Sequence, residues 1–436
     1  MKFSTTLAAT STLVASAYAA PASRAVRSLV ARAPGQGSWM TLNSTLNLQS
    51  GDSQGAAYFI TNDPSGNYIV AADINADGSL TLATAMSTGG LGQHGNVTGA
   101  DPLYSQGAVV VNSATNLLAT VNAGSNTVSL FSIDPSNPTT LTAVGAPVAS
   151  GGEFPQSVAF TDAGDKLCAL NGGARDGVQC FWVNGTSGLI PITGGYRALK
   201  LNQTTPATGV PGTASHIIFS KDQKSVYAAA KGNPTTGATG FIAAFDLGDD
   251  GLGEEYRLGL PQGGNIAFSM GFIPGRDDGS LLVTDAAVGF NILDFSQGVP
   301  SALDQPASVA VSIPGQGAVC WNAYSSKTGS FYLSDFLTNL ITEVSVDVDT
   351  LATTQVSQFD TQSDAGLIDL EVATVGDKDY LYVVEGTAAG IQVFSLDAPG
   401  QATHLQSVDL KGPAYAAGLP LEGENIQGMA VFLKSQ

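Results

Sequence analysis

His216 is the one histidine of three in this 436-residue chain that opens a short apolar run, His216-Ile-Ile-Phe-Ser220, while Lys231 and Glu385 stand where similar runs end. A histidine or carboxylate can accept a proton, and a lysine ammonium can stabilise a developing oxyanion. This trio of residue types therefore suits lactone hydrolysis or a cycloisomerisation. Uncharged and acidic polar residues recur at matching places: Gln106, Gln156, Gln316 and Gln427 at or just before apolar runs, and Asn171, Asp285 and Asp335 at the ends of others. Carboxamides both donate and accept, which fits a hydroxylated or carboxylated small-molecule ligand. The same amides would also satisfy backbone groups around a water-filled channel, and the same charges would serve as solvated loop-edge groups.

The elements that hold these residues are short. Apolar residues alternate with polar or small ones in runs separated by Gly, Asn, Asp and Pro, the pattern of strands, and no helix is expected after the first twenty residues. One strand type recurs: Gly107-Ala-Val-Val-Val-Asn112, Ser157-Val-Ala-Phe-Thr161, His216-Ile-Ile-Phe-Ser220, Asn265-Ile-Ala-Phe-Ser269, Gly317-Ala-Val-Cys-Trp321, Gly366-Leu-Ile-Asp-Leu370 and Gly428-Met-Ala-Val-Phe432. The spacings are 50, 59, 49, 52, 49 and 62 residues. Each of the first six copies is followed by three further strands, the last less regular, and four antiparallel strands per fifty or so residues make a propeller blade. Residues 57–86 supply three outer strands without an inner one, and Gly428–Phe432 is an inner strand with nothing after it. Pairing the two completes a seventh blade and removes exposed edges. The expected fold is all-β, a seven-bladed β-propeller whose C-terminal inner strand closes the ring on the N-terminal blade. Inner-strand starts and second-strand ends then lie on one face, around the central pocket.

The units Gln156-Ser-Val-Ala-Phe-Thr-Asp-Ala-Gly-Asp-Lys-Leu-Cys-Ala-Leu-Asn171 and His216-Ile-Ile-Phe-Ser-Lys-Asp-Gln-Lys-Ser-Val-Tyr227 resemble the lactonase family of seven-bladed propellers. That family includes the 6-phosphogluconolactonases and the fungal carboxymuconate cyclases. The resemblance implies a histidine at one inner-strand start, an arginine near the next, and a glutamate at the end of the following strand. The matching segments here read Glu153-Phe-Pro-Gln156, Ala214-Ser-His216 and Ala230-Lys231-Gly232, so Gln156, Ser215 and Lys231 occupy those places.

The chain carries 36 acidic against 17 basic side chains, and four of the bases (Lys2, Arg24, Arg27, Arg32) fall in its first 32 residues. So acidic a surface repels phosphates, which argues against nucleic acid and anionic lipid as partners. Lys2, the apolar stretch Leu7–Ala17 and the small-residue site Ala17-Tyr-Ala-Ala20 read as an export signal over 1–20, with a propeptide over 21–32, a lead-in over 33–56 and the propeller over 57–436. No other stretch is long and apolar enough for membrane insertion. A secreted, extracellular glycoprotein is expected, monomeric, with sequons at Asn43, Asn96, Asn184 and Asn202. In an oxidising compartment Cys168 and Cys180, on neighbouring strands, are expected to pair, leaving Cys320 as a core thiol.

Three other motifs lead elsewhere. Gly51-Asp-Ser53-Gln-Gly55 matches a nucleophile elbow without the strand-to-helix turn that motif needs. Asp73-Ile-Asn75-Ala-Asp77-Gly78 opens like a calcium loop but has Thr84 at its twelfth place, and reads as a turn between strands. No zinc spacing, phosphate cradle or dinucleotide fingerprint occurs, so neither metal nor cofactor is expected. Two functions remain: a secreted lactonase- or cycloisomerase-like propeller binding or converting a small lactone or carboxylic acid, and a non-catalytic binding or cell-surface glycoprotein on the same scaffold.

Overall fold

Strands such as Leu117–Asn122 and Leu281–Asp285 are buried along their whole length, whereas Gln401–Asp409 and Thr353–Asp360 are largely open to solvent. That gradient is what stacked sheets demand: inner and middle strands are covered on both faces by neighbouring sheets, and only outer strands meet water. The computed structural model describes residues 39–41, 53–298 and 308–435. The segments expected as export signal and propeptide, and Asn43, lie outside the described residues.

Seven antiparallel sheets form the blades of the propeller. Blade 1 runs outward from Gln427–Leu433 through Gly55–Ile60, Tyr68–Ile74 and Leu80–Ser87, and the lead-in adds a fifth strand, Trp39–Thr41, paired with residues 84–86. Blade 2 begins at Val109–Asn112, blade 3 at Pro155–Phe160, blade 4 at Ala214–Phe219, blade 5 at Ala267–Phe272, blade 6 at Val319–Ser325 and blade 7 at Leu367–Val375. Closure is an antiparallel ladder from Gly55↔Leu433 to Ile60↔Gln427. Gly55 is required there: a Cβ would stand 2.2 Å from the Phe432 carbonyl oxygen.

Buried apolar clusters follow one another around the ring, between blades 1, 2 and 3, blades 3 and 4, blades 4 and 5, blades 5 and 6, and blades 6, 7 and 1. Each blade is thus glued to its neighbours through two faces. Cys168 and Cys180, directly opposed on Lys166–Asn171 and Gly177–Asn184 of blade 3, are joined by a disulfide, and Cys320 is buried and free.

One short helix, Lys411–Ala417, departs from the all-strand expectation. Seven residues are too few to display a helical apolar period. Leu410, Ala414 and Leu419 dock it on the cluster between blades 6, 7 and 1, and Gly418 ends it in the left-handed region. Asn75–Ser79 is a tight turn, with the Gly78 N–H donating to the Asn75 carbonyl and Asp77 accepting from the Ser79 N–H. Ser53 is buried, and its hydroxyl donates to the Gly55 carbonyl.

Candidate functional site: the mouth of the central channel

The second strand of every blade ends at the channel mouth, and its last residues alternate in direction because side chains on a strand repeat every two residues. Asn171, Ala230, Asp285, Asp335 and Glu385 share one register, facing Pro155, Ala214, Ala267, Val319 and Leu367. Lys231 belongs to the next register: its N–H donates to the Thr213 carbonyl as those of Gly172, Ala286, Phe336 and Gly386 donate in their blades. The sequence reading grouped Lys231 with Asp285, Asp335 and Glu385. The structure moves it by one residue, and in a strand that reverses the side of the blade it serves.

The first register works inside the blades. Asp335 accepts N–H bonds from Gly317, Ala318, Leu337 and Thr338, and Asp285 accepts from Asn265, Ile266, Ala287 and the Asn291 amide. Asn171 donates to the Ser150 and Gly177 carbonyls. Glu385 folds its carboxylate over Gly390, where a Cβ would lie 2.5 Å from Oε2. Gln316 accepts from the Val319 N–H. Asp335, Asp285 and Asn171 thus tie the incoming connection of a blade to its own turns.

At the mouth itself stands a segment of the chain. The connection from blade 1 to blade 2 crosses the face and turns inward at Leu103–Gln106. The Leu103 carbonyl accepts from Gln156 Nε2 of blade 3, and the Tyr104 carbonyl from Lys231 Nζ of blade 4. The Ser105 carbonyl accepts from Trp321 Nε1 of blade 6 and Gln427 Nε2 of blade 1, each at 3.0 Å. The Gln106 N–H donates to the Ser215 carbonyl, and its side chain pairs with both main-chain groups of Asn322. A segment bonded to blades 1, 3, 4 and 6 at once must lie on the ring axis. We call it the strap. His94 is half-buried in the same connection with its ring nitrogens against the Gly95 and Gly99 carbonyls.

Lys231 is 2% exposed. Its ammonium also donates to Thr213 Oγ1 at 3.1 Å and to the Ala214 carbonyl at 2.9 Å, and it lies 4.6 Å from the centre of the Phe268 ring. Burial pushes its pKa down, against the opposing pull of the buried Asp101 carboxylate. Burial pushes Asp101 up, and the Lys231 charge holds it back. Asp101 also accepts from the Ser105 N–H at 3.3 Å, so the counter-charge to Lys231 is carried at the base of the strap.

His216 lies beneath the strap and is buried. Its Nδ1 accepts from the Met270 N–H at 3.0 Å, which places the ring proton on Nε2, and burial lowers its pKa to about 3. A neutral imidazole whose basic nitrogen is already engaged is not poised to take a proton from a ligand. Here the structure replaces the expected proton acceptor with a packed strand residue.

Two carboxylates of blade 7 escaped the sequence reading. Asp369, 1% exposed, accepts from the Gly428 N–H at 2.7 Å and from Gln427 Nε2, and burial raises its pKa to about 7. Glu371 is likewise raised to about 7 by burial, although it keeps some accessible surface. The two facts agree once its position is fixed. Glu371 pairs with Tyr382 in the register where other inner strands carry Ala159, Ile218 and Gly271, also half-open, while the alternating Leu370, Ile217 and Val158 pack between blades. Its remaining surface matches that of these register neighbours. The signal was the acid closing the run Leu-Ile-Asp-Leu-Glu371, where sister strands hold Ala159, Ile218 and Gly271.

Among the described residues no group of three or more His, Cys, Asp and Glu side chains is arranged to hold a metal ion, and no helix is long and apolar enough to cross a membrane.

Several solved structures share the fold. The periplasmic gluconolactonase of Pseudomonas aeruginosa aligns over 87% of this chain and 99% of its own, with a TM-score of 0.63 and 15% identity. A Bacteroides fragilis protein whose proposed activity is 6-phosphogluconolactonase aligns over 87% and 98%, with a TM-score of 0.58 and 16% identity. A Bacteroides uniformis protein of the same proposed activity gives 86%, 99%, 0.58 and 15%. No protein-family model and no curated protein matches the chain. The architecture is that of a lactonase-type seven-bladed propeller, and at such identities the likeness speaks for the fold.

Proposed function

We propose that this chain is an exported, non-catalytic glycoprotein built on the lactonase-type propeller. The observation that carries the reading is the strap: the mouth where such a scaffold would receive a small lactone or acid is filled by Leu103–Gln106 of the chain itself. Two of the three groups expected to do acid–base work are engaged beneath it, His216 by Met270 and Lys231 by three oxygens. Gln156 and Ser215 stand where the resemblance implies His and Arg, and neither titrates near neutral pH. Export and glycosylation are supported by the Cys168–Cys180 disulfide and by the exposure of Asn96, Asn184 and Asn202.

The test is hydrolysis of a panel of sugar lactones and muconolactones by the secreted protein, with Lys231→Ala and His216→Ala beside it. No turnover above the buffer rate is expected from any of the three. Robust turnover by the unaltered protein would overturn the reading.

A further inference from the structure

Arginine is concentrated at one place on the outside of the ring. Beyond residue 32 the chain holds 13 bases, the 17 of the whole chain less the four named above, against 36 acids. Three of the four arginines in that stretch, Arg175, Arg197 and Arg257, gather with Lys200 where the outer strands of blades 3 and 4, Gly188–Arg197 and Gly251–Gly259, run side by side. Like charges repel, so such a gathering calls for an opposing group. A cleft of about 510 Å³ opens there, a volume in the range of small-molecule sites. Arg197, Ala198 and Lys200 line it from blade 3, and Glu254, Glu255 and Arg257 from blade 4.

The cations are held in place by the protein itself. Arg197 donates from Nε to the Gly253 carbonyl at 2.9 Å and from Nη1 to the Gly194 and Tyr196 carbonyls at 2.8 and 2.7 Å, which leaves the Nη2 protons uncommitted. Arg257 lies 3.9 Å from the centre of the Phe241 ring, with Nη2 on the Leu199 carbonyl and Nε on Glu255, which leaves Nη1. Lys200 has φ of 61°, in the left-handed region where non-glycine residues are uncommon. The buried Asp176 carboxylate imposes that conformation by accepting the N–H groups of Leu199, Lys200 and Leu201 at 3.0, 2.8 and 2.6 Å. Among the described residues the exposed Lys200 ammonium has no partner. Tying blade 3 to blade 4 accounts for the committed guanidinium protons. It accounts neither for Lys200 nor for the open edges of the two arginines.

The cleft walls carry three positive and two negative side chains, so they suit a single acidic group better than a polyanion. Glu255 is matched by Arg257, whereas Glu254 is exposed, has no ion-pair partner among the described residues, and can accept hydroxyl protons. Guanidinium forks match the paired oxygens of a carboxylate or phosphate, and donors already immobilised lose little freedom on binding. We propose that this cleft binds a small sugar carrying one acidic group, the carboxylate or phosphate held by Lys200 and the open edges of Arg197 and Arg257, and the hydroxyls by Glu254. The site is separate from the filled mouth, so lactone turnover by the intact protein would leave it standing.

The full chain is titrated calorimetrically with an aldobiouronic acid, with glucose 6-phosphate and with the neutral disaccharide maltose. Saturable binding with a Kd of about 1 mM or tighter is expected for at least one of the two acids, and at least about tenfold weaker binding for maltose. Whichever acid binds more tightly identifies the acidic group. Lys200→Asn, a residue type that tolerates the left-handed backbone, should weaken that binding at least about fivefold. Lys200→Arg should keep it within about twofold, as should Lys411→Asn, the same change of charge on the exposed lysine of the helix. A Kd weaker than about 1 mM for both acids, maltose bound as tightly as the acids, or an affinity unmoved by Lys200→Asn overturns the proposal. Should Lys200→Asn not fold, the unaltered protein decides: raising NaCl from about 50 to about 500 mM should weaken binding at least about threefold, and an affinity independent of salt would reject the site.

Discussion

Lys231 Nζ donates a hydrogen bond to the carbonyl of Tyr104, a residue 127 positions earlier. Through that contact the second strand of blade 4 grips the connection between blades 1 and 2. The remaining ammonium protons go to Thr213 and Ala214, and the compensating charge comes from Asp101, so a lone buried cation is matched on every side. The arrangement explains why a residue type suited to oxyanion stabilisation serves here to hold the chain in its own channel.

Lys231→Met keeps the stem and removes the charge. It leaves two carbonyls and the Asp101 carboxylate without their partner, and breaking one side of a buried charge pair costs about 3–5 kcal/mol. Equilibrium denaturation should show a loss of that size. A loss under about 1 kcal/mol would mean that the ammonium is not the anchor described.

Stability should fall as pH rises toward and through neutrality. Asp369 and Glu371 have folded-state pKa values of about 7, raised by burial, above those of unfolded carboxyls. The folded protein therefore binds protons that the unfolded chain releases. This contribution is full below the unfolded values and is lost as pH climbs through about 7. Lys231 acts in the opposite sense, since its lowered value favours the deprotonated folded form, with Asp101 opposing it. Asp369→Asn retains an acceptor for Gly428 without the charge, and should flatten the decline in melting temperature between about pH 5 and 8. An unchanged slope would remove Asp369 as its source.

His216 should stay neutral across the physiological range, because burial lowers its pKa to about 3 and the Met270 N–H occupies Nδ1. Nitrogen-detected NMR is expected to find the Nε2–H tautomer with no titration between about pH 5 and 8. A midpoint near the ordinary histidine value would return His216 to the list of proton acceptors.

Ring closure should be sensitive to Gly55. A side chain there meets the backbone of Phe432 and Leu433, so Gly55→Val should lower stability by about 1–3 kcal/mol or more through separation of the closing strand. Deleting residues 427–436 should abolish the cooperative melt, because the whole inner strand of blade 1 is lost. A truncated chain melting like the parent would contradict closure through the termini.

The Cys168–Cys180 bond closes a short loop within blade 3. On chain-entropy grounds its removal by a double Cys→Ser change should cost about 2–3 kcal/mol. Thiol labelling of the unfolded, unreduced protein should modify Cys320 alone. Labelling of all three cysteines would argue against the bond.

The repeat was legible from residues alone because a blade is made by contacts between neighbours in sequence. Alternation, turn glycines and a unit of about fifty residues are local properties, and the orphan strand Gly428–Phe432 beside a blade lacking one forces the ring to close. The fifth strand Trp39–Thr41 and the helix Lys411–Ala417 were too short to leave a periodic signal.

The contents of the mouth depended on the tertiary structure. Whether a strand-end residue serves its own blade or the channel turns on a single step of register, which is why Lys231 parts from Asp285, Asp335 and Glu385. The burial of Asp369 and Glu371 follows from the blades on either side of theirs. That Leu103–Gln106 lies on the axis is a property of blades 1, 3, 4 and 6 together, whose residues are separated by up to 324 positions. Sequence patterning specifies each blade through local pairing, whereas convergence on the axis is set by how the seven blades are arranged about it, and no short segment carries that information.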